Sequence, residues 1–293
     1  MRGRGLVAAL ASVALAAAPA GAQPSPVGIN AAIRNKVEIR GAGTNRVRPA
    51  VLRERVMLND EVRTGAASQL QILLLDRSTF TVGASARVAV DRFVYDPAAR
   101  SRSIGASVAR GAFRFMSGRA LGKPAGPVTV RTPVASIGIR GTIFEGVVGE
   151  DAVRIAKGEP AVGGKVKSKE DEASLIVLRG PGPGTQGDTV PGAIDVTGGG
   201  RTVTLDAPEY AVYAPRSGAP LIGPFRLSPA GLAALQALLR PPARGGGGGS
   251  HAARDAALIG AGIIAAGVLG SGLLKGKKKK PKLPNNPDQQ QKP

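Results

Sequence analysis

The sequence predicts a mostly β fold, with many short strands forming a sandwich or a short solenoid-like domain and one C-terminal helix. Short apolar segments recur from about residue 28 to residue 224, separated by Gly, Pro, Asp or Asn. The chain has 42 glycines and 23 prolines, which favour turns over long helices. Strands and helices do not alternate, so a Rossmann-type parallel sheet is disfavoured.

The individual strand predictions follow these apolar segments, and the turn predictions follow the polar residues between them. The charged stretch 165–172 predicts a solvated hairpin loop, and the three glycines of 198–200 predict a hairpin connection. The predicted strands cover residues 70–75, 87–95, 128–130, 137–139, 143–148, 152–155, 174–178, 201–205 and 210–213.

A single helix is predicted in the body of the chain, over residues 227–240. Ser228 is a favourable N-cap, Pro229 occupies the first helical position, and leucines recur on one face. Pro241 and Pro242 end the helix. We expect this amphipathic segment to pack against the β domain of residues 23–226 and to close it.

The first 22 residues have the three parts of a secretory signal peptide. A basic start is followed by an apolar run over 6–18, and Ala20-Gly21-Ala22 forms a small-residue cleavage site. The apolar run is shorter than the roughly 20 residues that a membrane span needs. We therefore predict an exported, periplasmic protein whose mature form begins at Gln23.

The C-terminal region predicts a linker, an apolar segment and a polar tail. Residues 241–255 are a glycine-rich linker, and residues 256–274 carry no charge over a length close to that of a membrane helix. Residues 275–293 are basic and then polar, which is typical of a disordered tail. The lysines of the tail predict a cytoplasmic position under the positive-inside rule; they include Lys277, Lys278, Lys279 and Lys280.

Three interpretations of segment 256–274 stay open. We favour an inner-membrane helix, on which Gly262, Ala266 and Gly270 form a small-residue face suited to helix-mediated homo-oligomers. The same segment is weakly hydrophobic and rich in glycine, so lipid-surface association and a soluble tail are the alternatives.

The composition narrows the chemistry that the chain can perform. It has no cysteine and one histidine, His251, so disulfides, cysteine-ligated metals and histidine triads are excluded, and no cofactor is expected. The acidic pairs Asp60-Glu61 and Asp171-Glu172 are sequence neighbours, which point to opposite faces when they lie on a strand. The sequence therefore predicts a protein that is not an enzyme.

One group of motifs resembles the FecR domain family. The segments are Leu58–Gly65 followed by a strand to Ser78, then Gly111-Ala-Phe-Arg-Phe115, and above all Arg131–Phe144 with its Thr-Pro-Val-Ala and Arg-Gly-Thr-Ile-Phe elements. The resemblance is strongest over 55–150. Asn59 and Arg77 stand where the family has glycine; Asn59 tolerates the same turn, whereas Arg77 predicts a different turn type.

The residues that carry this resemblance are predicted to maintain the fold. Gly65 and Gly141 are expected in tight turns, and Pro133 is expected to fix an extended segment. Arg140 is expected to bind a loop carbonyl or a carboxylate such as Asp60 or Asp76. The full set is Asp60, Thr64, Gly65, Gly111, Phe113, Thr132, Pro133, Ala135, Gly138, Arg140, Gly141, Thr142 and Phe144.

The resemblance implies a periplasmic sensing, binding or scaffold module, whose best-known relatives relay signals to a cytoplasmic sigma factor. The predicted signal peptide stands where those relatives have a sigma-binding region, so this chain is closer to the stand-alone exported members. We expect an unidentified envelope protein as partner, with membrane association through the C-terminal segment. The formal net charge of +20 supports an alternative, an envelope polyanion or anionic-lipid binder; nucleic acid is not favoured because aromatics are scarce.

Overall fold

The computed structural model describes residues 25–118, 126–163, 166–180 and 192–240. The predicted signal peptide, the glycine-rich linker, the apolar segment 256–274 and the lysine tail lie outside the described residues. The described elements, in chain order, are β1 (Pro26–Arg34), β2 (Val37–Arg40), β3 (Val47–Pro49), β4 (Arg55–Met57), β5 (Glu61–Thr64), β6 (Gln69–Leu74), β7 (Thr79–Val82), β8 (Arg87–Asp96), β9 (Ser101–Met116), β10 (Val128–Arg131), β11 (Ser136–Arg140), β12 (Ile143–Val148), α1 (Glu150–Lys157), β13 (Ser174–Gly180), β14 (Ala193–Gly198), β15 (Arg201–Leu205), β16 (Tyr210–Ala214), β17 (Ile222–Arg226) and α2 (Pro229–Leu239).

The strands form two sheets that face each other, so the sandwich alternative is the one adopted. The first, here called the helix-covered sheet, has the order β4-β1-β6-β7-β9-β12-β13-β16-β17. The second, here called the open sheet, has the order β3-β2-β5-β8-β9-β10-β11-β14-β15. Strand β9 pairs in parallel with β10, and the other pairings are antiparallel.

Strand β9 belongs to both sheets. Its residues 101–110 pair with β8 in the open sheet, and its residues 111–116 pair with β12 in the helix-covered sheet. Gly111 lies at the crossing with a φ of 82°, and a Cβ there would lie 2.3 Å from the Cα of Ala86. Glycine is required at this point because any side chain would meet backbone in a left-handed conformation.

The main core lies between the two sheets. The helix-covered sheet contributes four fully buried phenylalanines, and the open sheet contributes aliphatic residues such as Ile39, Val130 and Ile137. The four rings are within 6.1 Å of their neighbours, centroid to centroid, in one contiguous cluster. Its members are Phe80, Phe113, Phe115 and Phe144.

A second apolar cluster covers the part of the outer face of the helix-covered sheet that β9, β12, β13, β16 and β17 form. Helix α1 buries Ala152, Val153, Ile155 and Ala156 there, and α2 adds Leu235 and other residues. The prediction of a strand over 152–155 is wrong, because these apolar residues lie on one side of a helix. Glu150 and Asp151 in its first turn and Arg154 and Lys157 in its last turn suit the helix dipole.

Helix α2 is confirmed with its predicted cap, and both of its ends are fixed. Ser228 Oγ accepts a hydrogen bond from Gly231 N and donates one of 2.7 Å to the buried carboxylate of Glu159. At the other end, the carbonyl of Leu238 accepts from Ala84 N, and that of Leu239 accepts from Gln69 Nε2. The helix is thereby held against the sheet at both termini.

Two loop predictions have opposite outcomes. The two-residue loop Gly199-Gly200 joins β14 to β15 with both φ angles positive, which confirms the hairpin connection. Of the charged stretch 165–172, the described residues 166–172 lie between α1 and β13, so the prediction of a loop between two hairpin strands is wrong there. The error follows from α1, because a helix rather than a strand precedes this loop.

Among the described helices, neither is long and apolar enough to cross a lipid bilayer.

Candidate interaction surface

The phenylalanines of the predicted set lie in the core. Phe113 and Phe144 are fully buried, with ring centroids 5.9 Å apart. Gly146 lies opposite Phe113 on the neighbouring strand, and a Cβ at Gly146 would lie 2.5 Å from the Phe113 ring. These residues build the interior and are inaccessible to a ligand. Phe80 and Phe115 complete the cluster and were not in the predicted set.

Asp60 and Thr64 organise the loops at one edge of the domain. The Asp60 carboxylate is buried and accepts hydrogen bonds from the backbone N–H groups of Met57 and Ala42. Thr64 Oγ1 accepts from Ala86 N at 2.8 Å and donates to Gly83 O at 2.6 Å, which joins β5 to the β7–β8 connection. Both side chains satisfy buried backbone groups, as fold-maintaining residues do.

The turn glycines differ from one another. Gly141 has a φ of 57°, which confirms a tight turn between β11 and β12. Gly65 opens the tight turn that was expected there, because its carbonyl accepts a hydrogen bond of 3.2 Å from Ser68 N, but its φ is not positive. Its amide also bonds Lys36 O. Asn59 and Arg77 both have a φ of 66°, so the different turn type expected at Arg77 is not formed.

The turn at Arg77 keeps its shape through the residues on either side. Asp76 accepts hydrogen bonds from the backbone N–H and the hydroxyl of Ser78, and its carboxylate lies 3.4 Å from Arg102 of β9. Asp76, Ser78 and Arg102 are all buried. Asp-x-Ser is a recognisable turn sequence, but its link to Arg102 depends on tertiary structure.

The Thr132–Ala135 segment forms the turn between β10 and β11. Thr132 N donates to Ala135 O at 2.8 Å, and Ala135 N donates to Thr132 Oγ1. Pro133 lies in this turn, so its predicted role in an extended segment is wrong; its fixed φ suits a turn as well. Thr142, at the start of β12, is buried and bonds Ser117 through its backbone.

Arg140 lies on the outer face of the open sheet. Its guanidinium is 3.0 Å from the carboxylate of Asp195 on β14, so the predicted pairing with Asp60 or Asp76 is wrong. Asp60 and Asp76 are buried in their own loops and accept backbone hydrogen bonds there. The register of β11 against β14 places Arg140 beside Asp195, a pairing across 55 residues of sequence.

Gly138 lies within a polar surface on the open sheet. Opposed residues on four neighbouring strands form a row of Thr129, Gly138, Asp195 and Thr204 across the outer face of the open sheet. A Cβ at Gly138 would have only the carbonyl of Asp195 within 4 Å, at 3.9 Å, so the space above it is open. The next row is also polar: Ser107, Arg131, Ser136, Thr197 and Thr202.

The outer face of the open sheet is our candidate interaction surface. Neither described helix packs on it, since both contribute to the apolar cluster on the opposite side. Its charges are partly paired, as in Arg131 with Asp91 at 2.8 Å. Within the described residues, no group of three His, Cys, Asp or Glu side chains is placed to hold a metal ion. The arrangement offers hydrogen-bonding and charged groups on strands held in place by backbone pairing.

Comparisons with known proteins agree with the motifs. Residues 60–162 match the family model described as FecR protein. Two crystal structures of a candidate anti-sigma factor from Parabacteroides distasonis align with 55% of this chain and 57% of theirs, at 14% and 15% identity and TM-scores of 0.35 and 0.34. The chain thus spans little more than half the length of these structures. Among curated proteins, none matches it significantly.

The matched segment begins at Asp60 and ends at Val162, so it includes β5 to β12 and α1. It contains the crossing strand β9, the four-phenylalanine cluster and the turn of Thr132–Ala135. The chain carries a FecR domain over these residues.

Proposed function

We propose that this chain is a non-enzymatic sensing or scaffold module of the FecR type, and that it binds a protein partner in the periplasm through the outer face of the open sheet. The observation that carries this proposal is the asymmetry of the sandwich. The part of one outer face that β9, β12, β13, β16 and β17 form is buried under α1 and α2, whereas the other outer face presents rows of Thr, Ser, Gly and paired charges. Periplasmic location rests on the signal-peptide pattern of residues 1–22.

The size of the open face suits a protein interface. Nine strands at about 4.8 Å separation span about 38 Å, and five residues at about 3.3 Å give about 16 Å along the strands. The product, about 600 Å², approaches the roughly 800 Å² that each partner contributes to a standard interface. Backbone hydrogen bonds to neighbouring strands hold this surface rigid, so binding costs little conformational entropy.

The acidic pairs support a non-catalytic role. Asp60 is buried against backbone N–H groups, while its neighbour Glu61 is half-buried on the outer face beside Arg63. Glu172 accepts a hydrogen bond from Ser217 N, and Asp171 is exposed in the loop before β13. Neither pair brings two carboxylates towards one reacting atom.

Site-directed photocrosslinking in cells tests the proposal. A photoreactive amino acid replaces Thr129 at the centre of the open face, and the matched control replaces Ala237, which is exposed on α2. We expect a specific adduct from position 129 and none from position 237. The substitution Gly138→Tyr fills open space on the face, so it is expected to abolish the adduct at 129 without altering the thermal unfolding temperature by more than about 2 °C.

Adducts only from position 237, or an adduct at 129 that survives Gly138→Tyr, would contradict binding through this face.

Export is tested separately, by N-terminal sequencing of the periplasmic fraction. Mature protein starting at Gln23 supports the periplasmic location, whereas an intact N-terminus in the cytosol removes it. Carbonate extraction with and without residues 256–293 then tests membrane attachment by the C-terminal segment.

A further inference from the structure

One end of the open face carries arginines directly opposite one another. The register places Arg63 of β5 against Arg87 of β8, and Arg87 against Arg110 of β9. A bulge beside Arg87 brings Arg110 into this position, since Val88 pairs with Val108 and Ala109 is the extra residue. The three arginines therefore lie on adjacent strands, and neighbouring strands are about 4.8 Å apart.

The neighbouring charges neutralise this row only in part. Glu61 lies 2.5 Å from Arg63 and 3.8 Å from Arg87, and Arg40 is opposite Glu61 on β2. Glu38 is opposite Arg63 but forms its ion pair with Lys36 at 3.2 Å. We call the set Lys36, Glu38, Arg40, Glu61, Arg63, Arg87 and Arg110 the arginine row; it has five positive and two negative charges, a net charge of +3.

The hydrogen-bonding capacity of the row is also incompletely used. Among the described residues, no acceptor bonds the buried Nε atoms of Arg40 and Arg87. The side chains of Arg63 and Arg87 are 28% and 41% exposed, so part of each side chain is accessible from solvent. Like charges directly opposite each other on neighbouring strands destabilise a sheet. The free domain thus carries a repulsion that an anion on this face would relieve.

We propose that the arginine row binds an acidic segment of the partner protein, through two or three carboxylates that pair with Arg63, Arg87 and Arg110. This inference rests on the proposed function, because it assigns the chemistry of the partner that the open face binds. Arginine suits this role because its planar guanidinium forms two parallel hydrogen bonds with one carboxylate.

The surroundings favour an acidic peptide over a nucleic acid or a lipid surface. None of the residues paired in the rows through Arg63, Thr129 and Arg131 is aromatic, so bases would find no stacking platform there. Glu38 and Glu61 lie within the row and would repel a polymer with a charge on every unit. An extended peptide places alternate side chains about 6.8 Å apart on one side, so two or three carboxylates match a row about 10 Å long.

Binding of synthetic peptides to the purified full-length chain tests the inference. The probe is a fluorescein-labelled peptide of alternating Glu and Ser, followed by anisotropy, with a Gln–Ser peptide as its control. The test variant is Arg87→Gln, and the matched variant is Arg216→Gln, which removes the same charge from an exposed loop between β16 and β17. We expect Arg87→Gln to weaken binding of the Glu–Ser peptide at least tenfold and Arg216→Gln to change it less than twofold.

The same variants have a second readout that a general charge effect would not give. Because Arg87 is flanked by two arginines, Arg87→Gln is expected to raise the Tm of the free chain by about 2 °C, while Arg216→Gln leaves it unchanged. Equal weakening by the two variants, or a fall in Tm for Arg87→Gln, would overturn the assignment. So would tighter, Arg87-dependent binding to single-stranded DNA or to phosphatidylglycerol vesicles, which would make the row a site for phosphate groups.

The two proposals fail separately. If Arg87→Gln leaves peptide affinity unchanged while the adduct at position 129 persists, the open face binds a partner and only the acidic segment is wrong. If the peptide binds through Arg87 but no adduct forms at position 129, the arginine row is an anion site and the broader proposal falls.

Discussion

The two outer faces of the sandwich have the same backbone plan and opposite surfaces. On the helix-covered sheet, one cross-strand row consists of Ala112, Val147, Leu175 and Tyr213, all fully buried. On the open sheet, the corresponding kind of row consists of Thr129, Gly138, Asp195 and Thr204. Only the first needs a covering layer, because its side chains are apolar. The difference shows where the domain is covered by its own helices and where its sheet surface is left without such a cover.

The largest expected effect comes from the interior that both faces share. Phe113→Ala removes a ring that contacts two other phenylalanines, so we expect the free energy of unfolding to fall by about 3–5 kcal/mol. Thr129→Ala on the open face should cost less than about 1 kcal/mol. Urea denaturation of both variants measures the contrast, and equal losses would mean that the open face is also part of the stabilising core.

The second effect tests the crossing of β9 between the sheets. Gly111→Ala places a Cβ against the backbone of Ala86 at a φ of 82°, so we expect a loss of about 2–4 kcal/mol. Gly141→Ala is the matched control, because its φ of 57° is also positive but no atom lies within 4 Å. That variant should lose only about 1 kcal/mol. Similar losses at the two glycines would show that the tight crossing contributes nothing.

The sequence predicted many of the strands and one helix, but it did not predict which strands pair with one another. Strands such as β10 to β13 were found because each apolar run ends at a turn residue. The segment 152–155 was misassigned because four apolar-rich residues fit a strand or a helical turn, although the acidic residues before it, Arg154 within it and Lys157 after it indicated a helix. Helix α2 was recognised from its Ser-Pro start.

The interaction surface was largely beyond prediction. Arg140 was selected from its motif, but its partner Asp195 is set by the register of β11 against β14. The arginine row requires the registers of β5, β8 and β9 together with a bulge at Ala109, none of which has a local sequence signal. Residues far apart in the chain become neighbours only when the sheet order is known.

A third, smaller effect tests the attachment of the covering layer. Glu159→Gln places an amide beside the backbone N–H and hydroxyl of Ser228, where a carboxylate now accepts both hydrogen bonds. We expect stability to fall by about 1–2 kcal/mol and the amides of α2 to exchange faster with solvent. Glu150→Gln, which is exposed at the start of α1, is the control and should change little. Unaltered exchange in α2 would show that Glu159 does not hold the helix.

The smallest effect is a pH dependence confined to the helix-covered face. Burial raises the pKa of Tyr213 above its usual value of 10, although its hydroxyl donates a hydrogen bond of 2.7 Å to Ser168 Oγ. The protonated phenol is therefore favoured in the folded state. Its contribution to the free energy of unfolding is complete below pH 10 and is lost as the pH rises above 10. We expect one late-titrating tyrosine in the absorbance at 295 nm, and its loss in Tyr213→Phe. Its persistence in that variant would assign it to another residue.

The shared strand β9 also determines when the domain can form as the chain emerges from a ribosome or from an export channel. Its first half pairs with β8, which precedes it, but its second half lies between β7 and β12, which begins 27 residues after β9 ends at Met116. A nascent chain that has emerged only to residue 116 therefore has one edge of β9 unpaired in the helix-covered sheet. Such an edge is prone to pair with other chains. Until β12 emerges, a chaperone that shields extended segments would be most valuable at residues 111–116.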